Sequence, residues 1–365
     1  MTAHEAPTRP VPLSPRPISR VAVIGCGAIA QSHLRHLHAS PHVDLVGLVD
    51  LSPVVVEHLA AMLGPGVGAF TDAGQMLASV QPDMVHVLTP PSLHVPLSDA
   101  AMRAGADVLC EKPLAATAGE VDSLLAVAAD TGRQVMEVQN YRYLPEMDWL
   151  RATLADDRLG ALRQIDIDVR VPIAGGGRFV DDSVPHYVSH LPGGAVRDFL
   201  PHMVYLAEDL LPLLPVDVVA ARWDLVSGKA ALGQDSLTAV LAGGGTTVLL
   251  RFSAVGSPPT FKVAVTGETG SASVDLFHRK RSVEQRSFGG PLAAVFDRLG
   301  TARQSVVDSV QEVRSKVLFS GENGIGTLLD DVYRRRVEGL PMPVSPAQLA
   351  RTAAVVDELI ERGGL

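Results

Sequence analysis

Asp198 and His202 stand four residues apart in the run Gly193-Gly194-Ala195-Val196-Arg197-Asp198-Phe199-Leu200-Pro201-His202. On one helix such a pair shares a face. A carboxylate there can hold a sugar hydroxyl, and an imidazole, which titrates near neutrality, can take its proton. The same pair also suits a structural role at a domain interface. Pro201 predicts that the helix kinks or begins at that point. Lys112 is the second candidate. It lies in Glu111-Lys112-Pro113, directly after the apolar segment Asp107–Cys110. A lysine withdrawn from water can polarise a hydroxyl or carbonyl; a surface lysine capping the following helical region is the alternative.

His186 and His190 join Asp198 and His202 in a metal-like set, with the two histidines at i, i+4. Their loop is rich in glycine and proline, which disfavours the helix that would align them. No metal site is expected, and these histidines are read as pocket or surface residues. Arg142 and Tyr143, after the apolar run Gln134–Val138, are further candidates for a substrate pocket.

The elements that must position these groups open with Gly25-Cys26-Gly27-Ala28-Ile29-Ala30. This stretch follows the apolar run Val21–Ile24 and precedes a helical segment. A second apolar run, Leu45–Val49, ends in Asp50, roughly 20 residues on, as a dinucleotide-binding βαβ unit requires. Gly25 permits the tight turn, Gly27 leaves room for a pyrophosphate, and Ala30 keeps the helix close to the sheet. The helix N-terminus offers N–H groups and a positive dipole end to the phosphates. Asp50 suits the adenosine ribose hydroxyls. Leu51, Ser52 and Pro53 bring no basic side chain to a 2′-phosphate, so NAD is favoured over NADP.

Strand candidates at Val21–Ile24, Leu45–Asp50, Val67–Phe70, Met84–Leu88, Asp107–Cys110 and Gln134–Val138 alternate with helical stretches. Short continuous apolar runs predict a parallel sheet buried on both faces, hence an α/β doubly wound domain. Ligands of such sheets bind beyond the carboxyl ends of the strands. The loops Thr89-Pro90-Pro91-Ser92-Leu93-His94, Glu111-Lys112-Pro113 and Gln139–Tyr143 are therefore expected to open onto the cofactor crevice, with Thr89 and Pro90 lining it. After Pro145 strands follow one another, beginning with the alternating Arg163–Val171. This predicts an α+β second domain with a mostly antiparallel sheet. Gly243-Gly244-Gly245 reads as a hairpin turn. Val306, Val310, Val313 and Val317 fall on one helical face, and helices at about 326–337 and 346–362 follow.

Composition agrees with two domains: 365 residues, 47% apolar, with a net charge of −9 that argues against a nucleic-acid surface. Arg279-Lys280-Arg281 and Arg334-Arg335-Arg336 are read as solvated faces. Two cysteines make no disulfide framework, which fits a reducing cytoplasm. Residues 1–19 read as a disordered or extended arm, neither signal peptide nor anchor. No apolar run approaches the ~20 residues needed to cross a bilayer.

Taken together, GCGAIA at 25–30, VD at 49–50, TPPSLH at 89–94, EKP at 111–113, NYRYLP at 140–145 and GGAVRDFLPH at 193–202 resemble the Gfo/Idh/MocA oxidoreductases. EKP followed by DxxxH is the specific part, and the resemblance spans about residues 20–365. It implies an NAD-binding Rossmann domain over 20–144. Over 145–365 it implies a substrate-binding domain whose large sheet often serves oligomerisation, as a dimer or tetramer. It also implies a catalytic set of Lys112, Asp198 and His202, with His202 as general acid/base and Asp198 positioning the substrate. Lys112-Pro113 is expected to be a cis peptide, and Ala28, Ile29, His94 and Glu111 to belong to the cofactor site. The implied reaction is hydride transfer between NAD and a secondary alcohol of a sugar, sugar nucleotide or cyclitol. NADP-linked reduction of a keto-sugar or dihydrodiol, retention of one cofactor across two substrates, and a non-catalytic NAD-binding regulator are the rivals. Two departures stand out. Phe199, Leu200 and Pro201 are bulkier than the family's usual residues beside the aspartate, and 277–320 is longer than usual.

Overall fold

The computed structural model describes residues 18–176, 193–211, 216–285 and 324–364. It divides into two compact units. One takes the chain as far as Val138 and takes back Ile325–Ala350; the other holds Gln139–Gly324 and Arg351–Leu365.

In the first unit six strands form one parallel sheet: β1 (Ser19–Ile24), β2 (Val43–Val49), β3 (Gly68–Phe70), β4 (Met84–Val87), β5 (Asp107–Cys110) and β6 (Val135–Glu137). Their order is β3-β2-β1-β4-β5-β6. The order reverses between β1 and β4, which is the switch point where doubly wound sheets bind ligands. Val21, Ala22, Val23, Val85, Val87, Val108 and Leu109 are completely buried, as a sheet covered on both faces requires.

The helices α1 (Ala30–Ala39), α2 (Pro53–Leu63), α3 (Ala73–Val80), α4 (His94–Arg103) and α5 (Ala118–Thr131) connect the strands. Local chemistry sets several of their starts. Ser52 caps α2 by accepting from the Val55 N–H, with Pro53 at the first helical position. Asp72 caps α3, and Thr117 and Glu120 form a capping box on α5.

The helix α8 (Ile325–Glu338) belongs to this unit and packs against α1. The sequence reading placed the whole tail in the second domain. The structure instead buries Leu328, Leu329, Val332, Tyr333 and Arg336 of α8 within the first unit. Arg336 also corrects the expectation of a solvated basic cluster. It is 6% exposed and paired with Asp107 at the start of β5, while its Nε donates to Ser19. Arg334 and Arg335 stay on the wet side, paired with Asp331. Ser19, assigned to the arm, is buried in β1, and residues 1–17 lie outside the described ones.

The second unit carries a seven-stranded sheet of β7 (Leu162–Arg170), β8 (Asp217–Asp224), β9 (Ser236–Gly243), β10 (Thr246–Ser253), β11 (Thr260–Gly267), β12 (Gly270–Asp275) and β13 (Lys280–Gln285). The order is β13-β12-β11-β7-β10-β9-β8, antiparallel except between β7 and β10. Gly244 and Gly245, both at positive φ, make the β9–β10 turn as expected. One face, with Ile165, Ile167, Val169, Val248, Leu250, Phe252, Val263 and Val265, packs into a core shared with α7 (Gly194–Leu210). The helix α6 (Pro145–Ala155) and the later part of α9 (Pro346–Arg362) complete that core.

The strand β13 was not foreseen, because its basic start reads as a solvated run. Arg279 and Arg281 in fact pair with the buried carboxylate of Glu146 on α6. The remainder of 277–320 beyond Gln285, including the valine stripe, lies outside the described residues. Among the described residues, no helix is long and apolar enough to cross a membrane.

Candidate functional site

The turn after β1 is shaped to leave space. Gly25 has φ +95°, and a Cβ there would lie 2.7 Å from the Leu88 carbonyl oxygen, so only glycine fits. A Cβ on Gly27 would meet nothing within 4 Å. That is open room beside the N-terminus of α1, where Ile29 provides no side-chain cap. Uncapped first-turn N–H groups are donors for an anion.

Asp50 is fixed at the end of β2 by two backbone donors. Its Oδ2 accepts from the Cys26 N–H and its Oδ1 from the Ser52 N–H, each at 2.9 Å. Each oxygen keeps lone pairs for a diol. The Cys26 thiol is buried, and burial together with the Asp50 charge pushes it up to about 12. At the end of β4 the Thr89 hydroxyl is buried without a hydrogen-bond partner among the described residues. An anchored acid, an open glycine, an uncapped helix end and an orphaned hydroxyl all fit a dinucleotide.

The Glu111-Lys112-Pro113 turn after β5 is held at three points. Glu111 Oε2 accepts from the Lys112 N–H at 3.1 Å, His94 Nδ1 lies 2.7 Å from the Pro113 carbonyl, and Glu137 Oε1 accepts from the Leu114 N–H at 2.9 Å. The Lys112-Pro113 peptide is cis. The other nitrogen of His94, Nε2, lies 2.8 Å from the Thr89 carbonyl. His94 was expected among the cofactor residues; its ring is fully buried and links the Thr89 and Pro113 segments. Burial lowers its proton affinity, while the two carbonyls act the other way. Pro90 lies exposed at the start of the same loop, and Lys112 is half-buried.

In the second unit Asp198 and His202 lie on α7, four residues apart, as expected. The helix runs unbroken through Pro201 from a start at Gly194. His202 is 6% exposed. Its Nδ1 lies 2.8 Å from the Tyr205 hydroxyl, which also accepts from the Tyr141 N–H. The Tyr141 ring stands edge-on to the imidazole at 4.8 Å. Burial and then the Asp198 charge push the Tyr141 phenol up to about 12, so it stays a neutral donor beside that carboxylate. Tyr205 was absent from the sequence reading, and Tyr141 stood there only within the Gln139–Tyr143 loop. Tyr205, one helical turn after His202, carried a usable signal.

Arg142, expected in a pocket, has its guanidinium bonded to Asp209 of α7 and to Gln139, where it secures the 140–143 turn. Tyr143 is half-buried in that turn. His186 and His190 lie outside the described residues. Among the described residues no cluster of His, Cys, Asp and Glu suits a metal ion.

The reversed strand order, the open glycine turn and the fixed acid define a dinucleotide-binding α/β unit joined to an α+β sheet unit. Residues 19–139 match the Gfo/Idh/MocA family model, described as "Oxidoreductase family, NAD-binding Rossmann fold". Inositol 2-dehydrogenase of Rhizobium meliloti is 29% identical over 226 residues, 61% of this chain and 64% of that protein. The scyllo-inositol 2-dehydrogenase (NADP(+)) IolU of Bacillus subtilis is 28% identical over 225 residues, 61% of this chain and 66% of that protein. The chain thus spans somewhat under two-thirds of the length of these relatives. The crystal structure of the WlbA dehydrogenase from Bordetella pertussis, in complex with NADH and UDP-GlcNAcA, aligns with a TM-score of 0.78 at 18% identity. It covers 97% of each chain and shows the shared fold.

Proposed function

We propose that this chain is an NAD-linked oxidoreductase that acts on a secondary alcohol, or the matching ketone, of a polyol, sugar or sugar nucleotide. The observation that carries the reading is the Asp198–His202 face of α7, with the imidazole held at Nδ1 by Tyr205. An imidazole whose orientation is fixed by a hydrogen bond at one nitrogen suits a proton acceptor. Asp198 accepts from a neighbouring substrate hydroxyl and sets the sugar's orientation. His202 takes the proton of the reacting hydroxyl in oxidation and returns it in reduction. Lys112 donates to the same oxygen and stabilises the charge that develops there. Bound nicotinamide supplies the hydride acceptor or donor.

The choice of NAD rests on Asp50. A fixed carboxylate holds ribose hydroxyls and repels a 2′-phosphate. The relatives include an inositol 2-dehydrogenase and an NADP(+)-dependent scyllo-inositol 2-dehydrogenase, which supports cyclitols as a substrate class and makes the cofactor an open measurement. The proposal includes self-association, supported by the outer face of the second sheet. Leu249 and Ala264 lie half-buried there on either side of Asp166, with Ser273 next along. Light scattering after gel filtration reads the assembly state. A cytoplasmic setting suits two free, buried cysteines.

The deciding experiment is a screen of polyols, sugars and sugar nucleotides with NAD and NADP, read by absorbance of the reduced nicotinamide. Turnover with NAD supports the reading, and preference for NADP overturns the cofactor choice. Cofactor binding without turnover of any alcohol or ketone favours a regulatory protein.

A further inference from the structure

His33 of α1 and His86 of β4 face each other inside the first unit, Nδ1 to Nδ1 at 3.0 Å, both with no solvent exposure. On one side the Tyr333 hydroxyl of α8 lies 2.7 Å from His86 Nε2. On the other, Glu111 Oε1 lies 3.5 Å from His33 Nε2, a charge contact outside hydrogen-bond geometry. The two imidazoles meet edge to face, and the Tyr333 ring lies parallel to that of His86. Four elements far apart in sequence thus supply one line of polar atoms through an apolar interior. Hydrogen bonds join Tyr333, His86 and His33 within it.

Counting protons gives the line a direction. Two Nδ1 atoms at hydrogen-bond distance share a single proton when both rings are neutral. Among the described residues His86 Nε2 is the hydrogen-bond partner of the Tyr333 hydroxyl. If the phenol donates, His86 carries its proton on Nδ1 and gives it to His33 Nδ1. His33 then carries its own proton on Nε2, toward Glu111. The opposite polarity leaves the phenolic hydrogen without an acceptor and sets a lone pair of His33 against a carboxylate. Burial raises the Tyr333 phenol far above its usual range, so it keeps its hydrogen. Burial, then His33 and Arg336, hold the His86 imidazole well below the usual histidine range.

We propose that Tyr333, His86 and His33 form a one-way hydrogen-bonded chain that presents an N–H to Glu111 and so positions the Glu111-Lys112-Pro113 turn for the reaction. The functional half of this rests on the reading of Lys112 as a catalytic residue. The link to Lys112 is direct: the second oxygen of Glu111 accepts from the Lys112 N–H. Turning the carboxylate turns the backbone that carries the amine. These three are positioning residues, each acting through Glu111.

Long-range proton–nitrogen spectra of the full-length protein, labelled at histidine nitrogen, read the tautomers directly. The expected pattern is Nδ1–H for His86 and Nε2–H for His33. Tyr333→Phe removes the donor that sets the direction. In that variant the tautomers invert or mix, and the Lys112 amide resonance moves. Turnover then falls roughly ten- to a hundredfold, as expected for a displaced catalytic group, with NAD affinity and the alcohol KM little changed. A wild-type spectrum with His86 protonated at Nε2 overturns the proposal and needs no variant. So does a folded Tyr333→Phe protein whose Lys112 amide has not moved. If the wild type turns over no alcohol, the catalytic reading of Lys112 fails, while the tautomers and the Lys112 amide still decide the chain.

Discussion

The Cys26 backbone N–H donates to Asp50 Oδ2 at 2.9 Å, tying the glycine turn after β1 to the acid at the end of β2. The Ser52 N–H holds the other oxygen at the same distance. The carboxylate therefore cannot turn away from the glycine turn without breaking two backbone bonds. Asp50→Ala is expected to weaken NAD binding by roughly 1.5–3 kcal/mol, the worth of charge-assisted hydrogen bonds. Asp50→Asn keeps the shape and removes the charge, so it should narrow the gap between NAD and NADP. Calorimetric titration of both cofactors checks this; an unchanged NAD affinity in the alanine variant removes Asp50 from the role.

The same contact bears on the Cys26 thiol. Burial and the Asp50 charge raise it from 9.0 to about 12. A thiol is reactive as thiolate, so Cys26 should resist iodoacetamide at pH 8 in the native protein and react once unfolded. The sign for stability follows. A proton held more tightly in the folded state gives stability that is complete below pH 9 and is lost as pH rises toward 12. Mass spectrometry of alkylated peptides and denaturation midpoints above pH 9 test the two halves. Rapid native labelling at pH 8 would contradict the first.

Arg336 ties α8 to the parallel sheet through Asp107, Ser19 and the Asp83 carbonyl. Both charged side chains are almost fully buried, and removing one strands the other. Asp107→Ala should cost about 3–5 kcal/mol, far more than a surface ion pair. Replacing both partners, as in Asp107→Leu with Arg336→Met, should cost much less than the single change. Urea unfolding of the double variant and of both single variants measures this, and a double loss equal to the sum of the single losses would show that the pair carries no coupling.

What was legible follows from how local each signal is. The strands of the first sheet are apolar on both faces, so Val21–Ile24 and Asp107–Cys110 announce themselves. Ser52 and Asp72 mark helix starts within three residues of themselves. The turn at Gly25 and the acid at Asp50 are readable because their order along the chain is the order the ligand requires. Arg336 was misread because composition sees three arginines alike, while a helix turns each by about 100° from the last. Only the third meets Asp107. The partners of His33, His86 and Tyr333 were hidden for a related reason. The contact between His86 and Tyr333 joins residues 247 apart, and nothing beside either residue specifies the other.

Tyr205 gives the sharpest test of the chemistry on α7. Its hydroxyl lies 2.8 Å from His202 Nδ1 and accepts from the Tyr141 N–H, and in the proposed mechanism it sets how the imidazole faces substrate. His202→Ala removes the proton acceptor and should lower kcat by about 10²–10⁴-fold with NAD affinity intact. Tyr205→Phe keeps the ring that packs at 5.5 Å from the imidazole but loses the acceptor of the Tyr141 N–H and, toward the imidazole, one neutral hydrogen bond. That bond is worth roughly 0.5–1.5 kcal/mol, so kcat should fall about two- to tenfold. The two changes should not add, because without the imidazole the hydroxyl has nothing to orient. Steady-state kinetics on the two single variants and the double variant read the coupling. Full additivity would mean that Tyr205 acts on the fold and not on His202.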